Sequence, residues 1–298
     1  MKVTLAGTGG MIPLPKRWLV SCHIHHNGKY FLIDCGEGTQ IALEEAGINP
    51  GRIDVLMITH FHADHIMGLP GLLMAMANKG KKSKLTLIGP KQLYAVASAL
   101  CVVCPPMPYD IEVIEMEGGE SFTLDEVTIE SMALSHRIAC LGYRLTVNKK
   151  PVFSPEKAQA LAVPVKYYKT LHAGKSVRLP NGKLIEPEMV IEKKREPIRL
   201  CYCTDTLPIP EIAEFAKDAD LFICEGMYAN EEMAEKMEEK HHTLIREAAV
   251  LANQAHAKEL WLTHFSPAFK HPEESTEYAR SLFPNAKIGF DGMSKEIK

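Results

Sequence analysis

The sequence predicts an α/β fold in which two β-sheets pack face to face with helices on the outside. Short apolar runs of strand length alternate with helix-length segments through both halves of the chain, the pattern of layered sheets and helices. Several of those runs end abruptly on residues of metal-ligating type. The 298 residues, 46% apolar and 24% charged, suit one sizeable domain with its own core.

In the first half, apolar runs near 2–7, 20–34 and 53–59 read as strands. A helix over 70–77, a strand over 85–89 and a helix over 91–103 follow. In the second half, residues 127–134 alternate apolar and polar positions, as a strand with one buried face does. Strands near 198–203, 221–224 and 259–263 are then separated by a Pro-initiated helix over 210–217 and helices over 230–240 and 243–256. Between the strand ending at Val147 and the one starting at Ile198, about fifty residues lack strong apolar periodicity. Residues 149–199 hold twelve Lys or Arg against five Glu, a local +7 in a chain of net charge −3, so the remainder carries −10. An acidic body with one basic excursion suits a polyanionic partner, because phosphate contacts dominate sequence-independent nucleic-acid affinity.

Residues 59–65 read Thr-His-Phe-His-Ala-Asp-His, directly after Val55-Leu56-Met57-Ile58. A buried strand that delivers His60, His62, Asp64 and His65 at its C-terminal end builds a metal site, and a carboxylate among imidazoles favours a hydrolytic centre over a structural thiolate one. The alternating spacing lets His60 and His62 project together, with Asp64 and His65 projecting after the chain turns, so one heptad can serve two adjacent metals. His136, Asp205 and His264 each follow a strand and complete the candidate ligand set. A carboxylate can bridge two cations and an imidazole cannot, which makes Asp205 the natural shared ligand.

These segments, with Cys203-Thr204-Asp205-Thr206 and Leu262-Thr263-His264-Phe265-Ser266-Pro267, resemble the ordered motifs of the metallo-β-lactamase superfamily. Phe31-Leu32-Ile33-Asp34-Cys35-Gly36-Glu37-Gly38-Thr39-Gln40 and Gly68-Leu69-Pro70-Gly71 narrow the resemblance to the ribonuclease Z family, over nearly the whole chain. The resemblance implies an αββα sandwich of the metallo-β-lactamase type, a single domain over 1–298 with a tRNA-binding arm inserted at about 149–197. It implies two zinc ions per chain, with manganese or iron as alternatives. His60, His62, His136 and Asp205 would hold one ion; Asp64, His65, Asp205 and His264 would hold the other. Asp64 would also accept the proton of the nucleophile. His242, set before Glu247-Ala248-Ala249 by the family's spacing, would protonate the leaving oxygen; a shift of one residue exchanges it with His241. The implied activity is removal of the 3′ trailer from precursor tRNA by a cytoplasmic homodimer, one subunit's arm serving the other's active site. Family arms often carry a Gly-Pro turn, whereas this chain reads Ala162-Val163-Pro164-Val165-Lys166-Tyr167-Tyr168-Lys169.

The remaining features are blander. No apolar run approaches the ~20 residues that cross a membrane, and the first residues break into glycines too early for a signal peptide. Most of the eight cysteines sit in apolar runs and read as small buried hydrophobes in a reducing compartment. Cys101 and Cys104 have metal-type spacing but no second pair to complete a zinc knuckle. His23, His25 and His26 read as an exposed strand face. Lys16-Arg17-Trp18 reads either as an RNA-end contact or as loop packing, and Gly36, Gly38 and Thr39 either as a phosphate-facing turn or as a tight strand-to-helix turn. Two other classes compete: a small-molecule phosphodiesterase, lactonase or arylsulfatase on the same fold, and a non-catalytic scaffold. A scaffold should have lost ligands, and this chain keeps all seven.

Overall fold

The computed structural model describes residues 1–298 except Lys150 and Lys194. Among them, two seven-stranded mixed sheets stack face to face. The first runs, in spatial order, Ser294–Glu296, Lys2–Gly7, Ser21–His26, Lys29–Ile33, Val55–Met57, Leu85–Pro90 and Ile111–Met116. The second runs Ala286–Ile288, Leu260–Thr263, Leu221–Glu225, Ile198–Cys203, Leu141–Val147, Val127–Ala133 and Ser121–Leu124. Successive side chains point to opposite faces of a strand, so each sheet supplies two packing surfaces. Leu5, Ile24 and Phe31 of the first sheet meet Tyr143, Leu200 and Ile223 of the second in the central core. Leu32, Leu56 and Leu87 face outward, beneath the helices Thr39–Glu45, Leu69–Asn78 and Leu93–Leu100. Cys201, Phe222 and Leu262 do the same on the other side, beneath Glu211–Phe215, Ile245–Gln254 and Thr276–Leu282. The result is the αββα sandwich the sequence predicts, its central parallel strands buried on both faces.

Three local differences have physical causes. The apolar run over 20–34 is a hairpin, because Asn27 and Gly28 (φ 44° and 78°) form a two-residue turn whose twist matches the strands. The helix expected to reach residue 103 ends at Leu100 and tightens into a 3-10 turn, Cys101–Val103, ahead of Pro105-Pro106. His23 is buried rather than exposed, since its strand lies inside the sheet between Lys2–Gly7 and Lys29–Ile33. That burial lowers the His23 pKa to about 4.

The basic segment interrupts the antiparallel neighbours Leu141–Val147 and Ile198–Cys203. Val152–Phe153 pairs with Ile191–Lys193 at its base. Ser154 accepts a hydrogen bond from the Lys157 amide and caps the helix Pro155–Ala160, and a hairpin joins Val177–Arg178 to Leu184–Ile185. Ala158, Val163, Leu171, Val177, Ile185 and Val190 form a small core of their own, against which Tyr167 and Tyr168 pack. Elements of two to six residues are too short to show a period, which is why the sequence reads as patternless here. Lys150 and Lys194, two of the residues behind the +7 count, lie outside the described residues.

Two glycines seat the loop that carries the heptad. A Cβ on Gly36 would lie 2.1 Å from the Asp64 carbonyl oxygen, and one on Gly68 would lie 2.0 Å from the Gly36 carbonyl oxygen. Only bare backbone allows that approach. The Gly36–Thr39 segment is a tight strand-to-helix turn: the Thr39 hydroxyl donates to the Gly36 carbonyl at 2.8 Å, and Gly38 sits beneath the Trp18 ring. Arg17 donates to the carbonyls of Phe269 and Lys270 at 2.9 and 2.8 Å, so it is committed to loop packing.

Candidate metal centre

All seven candidate ligands gather at one edge of the sandwich, on segments that leave the strands. His60 and His62 follow Val55–Met57 in extended chain, and the short helix Ala63–Ile66 then turns Asp64 and His65 toward them. His136 follows Val127–Ala133, Asp205 follows Ile198–Cys203, and His264 follows Leu260–Thr263. His60, His62, His136 and Asp205 bring one ligand atom each within 4.8 Å of one another, and Asp64, His65 and His264 form a second such group. Asp205 faces both. Its Oδ1 lies 3.2 Å from His264 Nε2 and 3.3 Å from His65 Nε2, while its Oδ2 lies 3.8 Å from His60 Nε2. Asp205 and His264 hold left-handed backbone (φ 55° and 58°), as does Asp34 (φ 60°). Asp and His enter that region more often than most residues with a side chain, and the turn it makes lies at each strand's exit.

The chemistry of the donors fits metal ions. His136 Nδ1 lies 3.1 Å from the His241 carbonyl, so it carries the proton and Nε2 keeps its lone pair. That Nε2 sits 3.2 Å from His62 Nδ1, which in turn sits 3.0 Å from His60 Nε2. His65 Nδ1 meets Asp34 Oδ2 at 2.8 Å, which turns its Nε2 toward His264 Nε2 at 3.2 Å. Ring nitrogens converging in this way can turn several lone pairs onto one shared cation. Among the described residues Asp205 Oδ1 has no hydrogen-bond partner although it is buried.

The two groups differ in electrostatics. Burial holds the His60, His62 and His136 imidazoles below their ordinary pKa, in the neutral form a metal ligand must have. On the other side, burial works against a charged His264, yet Asp205, Asp64 and Glu225 outweigh it and its pKa is pushed up to about 10. A site that favours an imidazolium so strongly favours positive charge. Burial likewise disfavours the Asp64 carboxylate, and His65 and His264 overcome it, keeping its pKa below the usual range. The Met11 amide donates to Asp64 Oδ2 at 2.6 Å.

His62, Asp64, Asp205, His242 and His264 line an open cleft of about 590 Å³. His242 Nδ1 lies 2.9 Å from Glu225 Oε2, and its ring centroid is 5.4 Å from that of His136 and 5.7 Å from that of His264. Burial lowers the His242 pKa, but the Glu225 carboxylate more than offsets this and the net shift is upward. His241 is arranged differently. It ends the helix Ala234–Lys240 in left-handed conformation, its Nδ1 lies 3.3 Å from the Ser135 carbonyl, and it is absent from the cleft lining.

The family model described as Anti-Pycsar protein Apyc1 matches residues 1–102, about a third of the chain. Ribonuclease Z of Agathobacter rectalis is 44% identical over 298 residues, covering 100% of this chain and 98% of that protein. The chain belongs to the ribonuclease Z family. Ribonuclease Z of Clostridium acetobutylicum is likewise 44% identical over 304 residues, with 100% and 98% covered. Among solved structures, human tRNase Z, short form, superposes with a TM-score of 0.71 at 22% identity over 100% of both chains. The metallo-β-lactamase fold protein YhfI from Bacillus subtilis gives 0.70 at 19% identity, with 99% and 98% covered. These two likenesses are of fold, and the fold is that of the metallo-β-lactamases.

Sequence reasoning missed two buried carboxylates in this ribonuclease Z family member. Asp34 accepts from the Thr59 amide at 2.8 Å as well as meeting His65. Glu225 accepts from the Thr206 amide at 2.8 Å, meets His242, and lies 3.4 Å from His264 Nδ1. Each is acidic and stands at a strand end, the signal that singled out Asp205 and His264. Asp34 orients His65 and raises its basicity, so Asp34→Asn is expected to weaken metal affinity by ~10–100-fold. Competition with a chromophoric chelator measures this; unchanged affinity would confine Asp34 to holding the Thr59 backbone.

Proposed function

We propose that this chain is a metal-dependent endoribonuclease that hydrolyses a phosphodiester at the 3′ end of precursor tRNA and removes the 3′ trailer. The observation that carries the reading is the seven-residue donor set, of which His62, Asp64, Asp205 and His264 line an open cleft, in a chain of the ribonuclease Z family. We read the ions as two zinc ions per chain. His60, His62, His136 and Asp205 would hold one, and Asp64, His65, Asp205 and His264 the other. When bound, such ions supply Lewis acidity, bringing a water's pKa toward neutrality and offsetting charge on the phosphoryl oxygens.

The side chains do the rest. Asp64 receives the proton of the attacking water. Glu225 holds Nδ1 of His242, which leaves Nε2 to protonate the departing 3′ oxygen. Among the described residues no helix is long and apolar enough to cross a membrane. Cytoplasmic location and a homodimer, with the arm of one subunit serving the cleft of the other, complete the reading.

The arm separates RNA processing from small-ester hydrolysis. It lies between His136 and Asp205 in sequence, contributes no candidate ligand, and has a small core of its own. Removing residues 153–192 is expected to raise KM for precursor tRNA by on the order of 10²-fold or more, because phosphate contacts dominate affinity. Hydrolysis of bis(p-nitrophenyl) phosphate, which touches only the centre, should be largely kept. Equal loss of both activities would make the arm part of the core fold. Unchanged tRNA cleavage would favour a small-molecule phosphodiesterase instead.

A further inference from the structure

The cleft has a cationic wall that the chemistry above does not use. Arg137 follows the candidate ligand His136, and Lys236 and Lys240 come from the helix Ala234–Lys240 just before His242. All three line the cleft, and none makes an ion pair among the described residues. Lys236 and Lys240, four residues apart, share one helix face. The buried Met237 between them packs with Met227 and Leu244, which anchors that face at the cleft. Glu235, Glu238 and Glu239 on the same helix line no part of it. The helix therefore sorts its charges, lysines inward and glutamates outward. Among the described residues, Asp64 and Asp205, both candidate ligands, are the acidic residues that line the cleft. Met11, Tyr228 and Pro267 also line the cleft and give it an apolar and aromatic surface suited to a nucleobase.

We infer that Arg137, Lys236 and Lys240 form a subsite for a backbone phosphate next to the scissile one, and so set a preference for polynucleotides over isolated phosphodiesters. The inference rests on the ribonuclease reading. A lone ester engages the centre alone, whereas a chain places a second phosphate against the three cations. The arm acts at a distance from the bond that is cut; this subsite acts beside it.

The test replaces all three residues by glutamine and compares kcat/KM for precursor tRNA with kcat/KM for bis(p-nitrophenyl) phosphate. The ratio of the two is expected to fall by about 10–100-fold, mainly through KM for the RNA. Binding of a short fluorescent single-stranded RNA should also lose salt dependence, its log–log slope becoming shallower by about 0.7, the contribution of one single-strand phosphate contact. Lys236→Arg with Lys240→Arg should keep both quantities at the parental level. An unchanged ratio and slope, or an equal slowing of both substrates, overturns the subsite. Thermal unfolding and metal content check the fold, and the three single variants carry the test if the triple variant unfolds. A parental protein that hydrolyses the ester but no RNA would overturn the ribonuclease reading, while the salt slope would still test the subsite.

Discussion

Replacing Asp205 with alanine is expected to remove at least one ion from each chain and to lower kcat/KM by about 10³-fold or more. A single electrostatic contact at a reacting centre is already worth ~10²–10³, and Asp205 makes several. Its Oδ1 faces His65 and His264, and its Oδ2 faces His60, so this one carboxylate reaches both donor groups. It is almost wholly buried, and the His264 and His65 imidazoles hold it ionised against burial. Alanine leaves those imidazoles crowded together without the anion that balances them. Elemental analysis of the parental protein should find close to two ions per chain, and the variant should hold one or none. A metal-free protein with full activity would end the hydrolytic mechanism proposed here.

His242→Ala is expected to lower kcat by ~10²–10⁴, the usual worth of a general acid, while metal content and KM stay near the parental values. The expectation rests on position. His242 lies on the cleft wall beside His136 and His264, its Nδ1 held by Glu225, and Ala removes the proton without touching a candidate ligand. His241→Ala should cost far less, because that side chain turns to the Ser135 carbonyl and it is the His241 backbone oxygen that meets His136. If His241→Ala shows the loss and His242→Ala does not, the two residues exchange roles. If neither slows turnover, another group or water protonates the leaving oxygen.

Much of this was legible because fold and site share one signal. A strand that ends on His60, Asp205 or His264 announces both a layer of the sandwich and a donor at its edge. Asp34 and Glu225 end strands in the same way. Their work is to hold a histidine rather than an ion, and the partners that reveal it, His65 and His242, come from other elements. The cationic face of Lys236 and Lys240 was equally hidden, since only the packing of Met237 decides which way that helix looks. The arm resisted for a different reason. Its core is made by contacts among segments of a few residues, and such contacts leave no period along the chain.

The left-handed strand ends bear on how this protein can change. At Asp34, Asp205 and His264 the backbone adopts a conformation that costs most residues roughly 1–2 kcal/mol, Asp and His less, and glycine almost nothing. Two of the three also bring carboxylates into a buried, crowded setting. Folding stability and turnover therefore pull in opposite directions at these positions. Glycine would relieve the backbone but erase the donors and the hydrogen bonds they make, whereas ions that bind only the folded chain recover part of the deficit. Efforts to harden the protein belong on outer helices such as Thr39–Glu45, Leu93–Leu100 and Thr276–Leu282, which supply neither a candidate ligand nor a cleft-lining residue.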